Sequence, residues 1–146
     1  PVSALDVSIQ VQILNLLKDL SKELSFACLF VAHDLAVVRY MCDRTLVMYL
    51  GEVVEEAPSD ILFRTPSHPY TRALLSAVPD VDKGLAARHG EGSRIVLRGE
   101  VPSRLEPVPG CPFHPRCPEA TERCHTERPG YATVKDDHLA RCHFTG

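Results

Sequence analysis

Four cysteines crowd the last quarter of this chain. Cys111, Cys117, Cys124 and Cys142 are spaced C-x5-C-x6-C-x17-C. Four thiolates complete the ligand shell of a structural zinc ion or of an iron–sulfur cluster. Structural zinc sites usually show tight C-x2–4-C pairs, and none occurs here. A cubane cluster tolerates wider spacing, so spacing alone favours it over zinc only weakly. Arg116 and Arg141 stand beside these cysteines. They either offset the negative charge of a thiolate-ligated centre or are solvated surface arginines. His114, His125, His138 and His143 are read as surface residues or as supports of the thiols, because four cysteines already complete a site. A second candidate lies upstream. His33 closes the apolar run Phe26–Ala32 and is followed by Asp34. An imidazole at the carboxyl edge of a buried strand can donate a hydrogen bond to a phosphate oxygen near neutral pH.

The elements that must position these groups are legible in part. Ile9, Ile13, Leu16, Leu17, Leu20 and Leu24 form a helical stripe over residues 7–24, with Lys18, Asp19 and Lys22 on other faces. Asp6 or Ser3 is placed to cap it. Residues 26–32 are apolar on both alternating faces, as in a strand covered by helices on both sides. Asp34 is placed to cap a short helix running to about Met41. Residues 45–50 read as a strand. A Gly51-Glu52 turn then leads into Val53–Glu56, and the whole reads as a hairpin. Short helices are expected from Ser59 to Phe63 and from Pro69, with Tyr70, Leu74 and Leu75 facing the core. Residues 80–94 read as a linker, and Ile95–Leu97 as one short strand. From Pro107 to Gly146 no helix or strand period is legible. So thin a core there calls for a covalent or metal staple. Cys28 and Cys42 are read as small buried hydrophobes.

Bulk properties narrow the function. The chain has 146 residues, 45% apolar, with a formal charge of −3. Mean hydropathy is close to zero. That balance suits a soluble domain and offers no electrostatic reason to expect nucleic acid as a partner. No stretch approaches the roughly 20 apolar residues of a membrane span. No secretory leader is evident, and Pro1 is not expected to be a native start. Seven of the twelve prolines lie after residue 100.

Taken together, Ser3-Ala4-Leu5-Asp6 before a helix, the apolar run ending in His33-Asp34, and the strand–turn–strand with Gly51 resemble the last third of ATP-binding-cassette (ABC) transporter ATPase subunits. Ser67-His68-Pro69-Tyr70-Thr71-Arg72 and the Gly110-Cys-Pro-Phe-His-Pro-Arg-Cys117 segment are similar to the oligopeptide, dipeptide and nickel branch of that family. The resemblance covers the whole chain. It implies an α/β fold: the C-terminal part of a P-loop (RecA-like) ABC core over residues 1–57, then a mostly irregular, cysteine-rich extension over residues 58–146. It implies that Ser3, Ala4, Leu5 and Asp6 form the D-loop at the contact between two ATPase subunits, and that His33 is the switch histidine of ATP hydrolysis.

The 146 residues contain no G-x-x-x-x-G-K-[ST] phosphate loop and no L-S-G-G-Q-like signature. The chain is therefore expected to represent the end of a longer subunit and to be inactive alone. The resemblance further implies ATP with Mg2+, a [4Fe–4S] cluster on the four cysteines with Zn2+ as the alternative, and a second ATP-binding subunit. Two transmembrane permease subunits, an extracytoplasmic peptide-binding protein and a place on the cytoplasmic face of the membrane complete it. Disulfides are disfavoured in that compartment. The competing reading from another class is a free-standing iron–sulfur or zinc module.

Overall fold

The computed structural model describes residues 7–78, 94–103, 108–135 and 137–145. The expected D-loop, Ser3 to Asp6, lies outside the described residues, as does the expected linker except for Arg94. The chain divides into two compact units, one ending at Cys42 and the other beginning at Asp43.

The first unit holds two helices. Helix α1 runs Val7–Leu24, as its stripe predicts. Helix α2 runs Leu35–Met41 and is capped by Asp34, whose carboxylate accepts from the backbone N–H of Ala36 and Val37. Lys18 of α1 donates to the carbonyl of Tyr40 on α2 at 2.8 Å and lies over its ring. Leu14 and Val38 are buried, yet Ile9, Leu16 and Leu24 of the predicted stripe are exposed.

The expected strand 26–32 does not form. Leu29 and Val31 are 88% and 89% exposed. A strand exists only where a neighbour completes its hydrogen-bond ladder and a layer covers its faces, and no described element does so here. Cys28 is accordingly exposed rather than buried, and Cys42 is half-buried.

The second unit is a small mixed α/β body. Strands β1 (Arg44–Tyr49) and β2 (Glu52–Pro58) form the expected hairpin. Its turn is Leu50-Gly51, one residue earlier than predicted. Both residues have positive φ, +50° and +88°, the geometry of a type I′ turn that matches strand twist. A β-bulge follows. Val47 pairs with Glu55 but Met48 pairs with Val53, so Val54 is the extra residue. The bulge breaks the alternation and turns both Val54 and Glu55 inward.

Helix α3 (Ser59–Arg64) follows directly. Helix α4 (Pro69–Ser76) has Pro69 in its first turn and His68 as its cap, through Nδ1 accepting from Tyr70 N–H. Of its three expected core residues, Leu75 is buried and Tyr70 and Leu74 are half-buried; Thr71 and Ala73 are buried as well. Residues 95–97 are extended but join no strand.

The segment after Pro107 is more ordered than its sequence suggests. It holds a 3-10 turn (His114–Arg116), helix α5 (Glu122–Thr126), and strands β3 (Ala132–Lys135) and β4 (His138–Ala140). Among the described residues the sheet is four-stranded and antiparallel, in the order β1-β2-β4-β3. The expected irregular extension is thus half of the sheet. Its thin core is supplemented by the hairpin and the start of α4: Phe113, 1% exposed, packs its ring against Tyr49, Tyr70 and His68 at 5.2, 5.4 and 5.6 Å.

Candidate functional site

The two sets of candidate residues belong to different units. His33 lies exposed in a bend, one residue before the Asp34 cap. The four cysteines belong to the second unit, on three segments that its fold draws together. All are free thiols.

Gly110 makes the first approach possible. Its φ is +66°, and a Cβ there would stand 2.4 Å from the Cys124 carbonyl oxygen. With no side chain in the way, Cys111 N–H donates to that oxygen at 2.9 Å and places Cys111 beside Cys124. Cys117 is set by the 3-10 turn, its N–H bonded to the His114 carbonyl. Cys142 arrives from the end of β4, where Arg141 N–H donates to the carbonyl of the bulge residue Val54 at 2.9 Å.

Burial raises the Cys111 thiol above its ordinary range, and the charge of Cys124 adds to it. Cys117 is pushed up to about 11, first by burial and further by Glu119, Cys142 and Cys111. Cys142 is raised by burial and by Cys111 and Cys124. These are the shifts expected where thiolates would crowd one another in a half-buried place. Arg141 lowers Cys111, while its guanidinium also pairs with Glu52 at 2.9 Å. Arg116 acts on Tyr70 instead, and its Nε is buried without a hydrogen bond.

Among the described residues no three His, Cys, Asp or Glu side chains stand as a ready-made metal shell. The four thiols therefore do not make a closed coordination sphere.

The histidines divide. His125 is exposed and stacks on half-buried His114 at 4.3 Å, and His143 bonds the Glu127 carbonyl. His138 departs from its surface reading: it is 2% exposed and its Nε2 donates to Glu55 Oε1 at 2.7 Å. Glu55, fully buried, also accepts from Ser67 N–H at 2.7 Å and His68 N–H at 3.0 Å. This network was not legible beforehand. The faint signal was a run of two glutamates in an apolar hairpin.

His68 is lowered to about 4, chiefly by burial and further by Arg72, while Glu55 and the Arg141 backbone pull the other way. It caps α4 in its neutral form. The unfolded chain therefore binds more protons between pH 6.5 and about 4, and stability must fall as pH falls through that window. The expected loss relative to neutral pH is about 2 kcal/mol at pH 5. Urea titrations of wild type and His68→Asn, which keeps a capping oxygen but cannot titrate, should show a steeper loss with falling pH in wild type. Parallel slopes would refute the assignment.

Comparison with known proteins gives one consistent set of relatives. Residues 54–124 match the family model described as the oligopeptide/dipeptide transporter, C-terminal region. An inferred peptide import ATP-binding protein of Brucella ovis is 49% identical over 142 residues, 97% of this chain and 43% of that protein. An inferred peptide ABC transporter ATP-binding protein of Sinorhizobium fredii is 50% identical, over 97% of this chain and 39% of its own length. The di/tripeptide transport ATP-binding protein of Pseudomonas aeruginosa is 48% identical, over 98% and 42%. These relatives are, by name, ATP-binding proteins of peptide transporters. Like them, the chain carries the C-terminal region of the oligopeptide/dipeptide transporter family, over residues 54–124. It spans less than half the length of these relatives. Since they align across both units, the free-standing metal module gains no support from them.

Proposed function

We propose that this chain is part of the ATP-hydrolysing subunit of an ABC importer that couples ATP binding and hydrolysis to peptide uptake. The observation that carries the reading is identity near 49% to peptide import ATP-binding proteins, sustained over 142 residues that include His33 and all four cysteines. ATP is the substrate, as its magnesium complex. His33 contacts the terminal phosphate and orients the attacking water. Such transfers depend on positioning and charge stabilisation, so a single donor matters. Its exposed ring is compatible with that task. Ser3, Ala4, Leu5 and Asp6 form the loop that meets a second ATP-binding subunit, the same or related.

Two transmembrane permease subunits carry the peptide, delivered by an extracytoplasmic binding protein. Among the described residues no helix is long and apolar enough to cross a membrane, so attachment to the cytoplasmic face runs through the permeases.

Cys111, Cys117, Cys124 and Cys142 would together hold a [4Fe–4S] cluster, with Zn2+ as the alternative. When bound, the group supplies a covalent-strength tie between the 110–124 loop and the end of β4. The thiols, raised as they are, must release protons on loading.

The decisive experiment is ATP turnover by the assembled transporter. His33→Ala is expected to reduce it about 100-fold while nucleotide still binds. Undiminished turnover would remove His33 from the mechanism. Separately, the 146-residue chain alone is expected to hydrolyse no ATP, because it contains no phosphate-binding glycine loop. Measurable phosphate release by the purified chain would contradict this.

A further inference from the structure

Three of the four cysteines are placed by local structure. Cys111, Cys117 and Cys124 lie within residues 111–124, tied by the 3-10 turn and the Cys111–Cys124 backbone bond. Cys142 is different. It reaches the group from β4, a strand of three residues that makes two paired positions with β2. So short a strand specifies its register weakly, and a slip of one residue would turn Cys142 to the other side of the sheet.

We propose that the buried Glu55–His138 hydrogen bond is the register pin that positions Cys142 against the other three thiols, a reading that rests on the four-cysteine site proposed above. Neither residue is a ligand; both are positioning residues. The geometry makes the pin stiff. The backbone N–H groups of Ser67 and His68 hold the Glu55 carboxylate from the start of α4, at 2.7 and 3.0 Å. His138 then donates to Oε1 at 2.7 Å from 83 residues away. Cα pairing sets Ala140 opposite Glu55, so His138 meets it on the diagonal of the same buried face.

Alternative registers are penalised. A slip in one direction brings Asp137 towards Glu55, setting two carboxylates together. A slip in the other brings Leu139, leaving a buried charge without its side-chain donor. In the observed register Arg141 N–H bonds the Val54 carbonyl, Arg141 Nη1 pairs with Glu52, and Cys142 follows at once, within electrostatic reach of Cys111 and Cys124. The bulge at Val54 is the origin of all this, because it turns Glu55 inward.

The test labels the reduced, metal-free full chain with iodoacetamide under native conditions and follows each cysteine by peptide mass spectrometry. His138→Leu removes the donor. Cys142 is then expected to label about tenfold faster relative to Cys111 than in wild type. His138→Gln, whose amide reaches the carboxylate, is expected to restore the wild-type ratio. An unchanged Cys142/Cys111 ratio in His138→Leu overturns the proposal. Should His138→Leu unfold, with all four cysteines labelling alike, His138→Asn against His138→Gln decides. Selective exposure of Cys142 in the shorter asparagine variant alone supports the pin, and equal labelling in both overturns it.

Anaerobic loading with ferrous iron and sulfide, or with zinc, gives a second readout. Lower metal stoichiometry in His138→Leu than in wild type supports pin and site together. If wild type takes up no metal while the labelling difference persists, the metal reading fails and the positioning of Cys142 stands.

Discussion

Alanine at Glu55 is expected to destabilise the second unit by about 4 kcal/mol, as for removing one partner of a buried pair. The side chain is fully buried and accepts three hydrogen bonds, from Ser67 N–H, His68 N–H and His138 Nε2. Truncation strands all three donors, two of them buried and that of Ser67 partly so. Each stranded donor costs about 1–3 kcal/mol, less than additively because they share one acceptor. Urea denaturation at pH 7 should show the midpoint falling by about 2 M, for a slope of about 2 kcal/mol per M. Glu127→Ala provides the contrast. Its carboxylate is exposed and pairs with Arg123 one turn away, so little change is expected. A loss at Glu55 no larger than that at Glu127 would mean that the buried carboxylate does not tie α4 to the sheet.

Gly110→Ala is the second large effect, expected at about 3 kcal/mol from left-handed backbone strain plus overpacking. The added methyl would meet Cys124 O at 2.4 Å, and the His125 carbonyl carbon and oxygen at 2.7 and 2.8 Å. These are backbone atoms, so no side-chain rotation relieves the clash. The loop must lift, which breaks the Cys111–Cys124 bond. Gly51 isolates the backbone contribution. Its φ is +88°, but a Cβ there meets nothing within 4 Å. Gly51→Ala should therefore cost only about 1 kcal/mol. Thermal or urea unfolding of the two variants side by side measures the difference. Equal losses would show that crowding at Gly110 is relieved at no cost.

Much of the local structure was legible in advance. Helix α1 (though not the burial of its whole stripe), the Asp34 cap, the two strands of the hairpin, α3, and the His68-Pro69 start of α4 all formed where nearest neighbours indicated. So did the resemblance to peptide-transporter ATPases, carried by short motifs. The failures share a cause. Strand 26–32 has the right residues, but a ladder needs a second strand, and residue pattern alone does not say where that strand comes from. The turn fell at Leu50-Gly51 because two consecutive positive-φ residues, one of them not glycine, fit the twist of the hairpin.

Strands β3 and β4 are too short to show a period, and they exist because β2 offers them an edge. The four thiols were legible as a set, and their C-x5-C-x6-C-x17-C spacing named the chemistry open to them. Their placement was not, because it depends on a glycine pressed against the Cys124 carbonyl and on β4 docking in one register. Least visible was Glu55–His138. In sequence these are a charged residue in a strand and a histidine in a polar tail. Local preference acts through neighbours along the chain and is written in their order. The value of a hydrogen bond between groups 83 residues apart comes from the exclusion of water, which exists only after the sheet and α4 have closed around them.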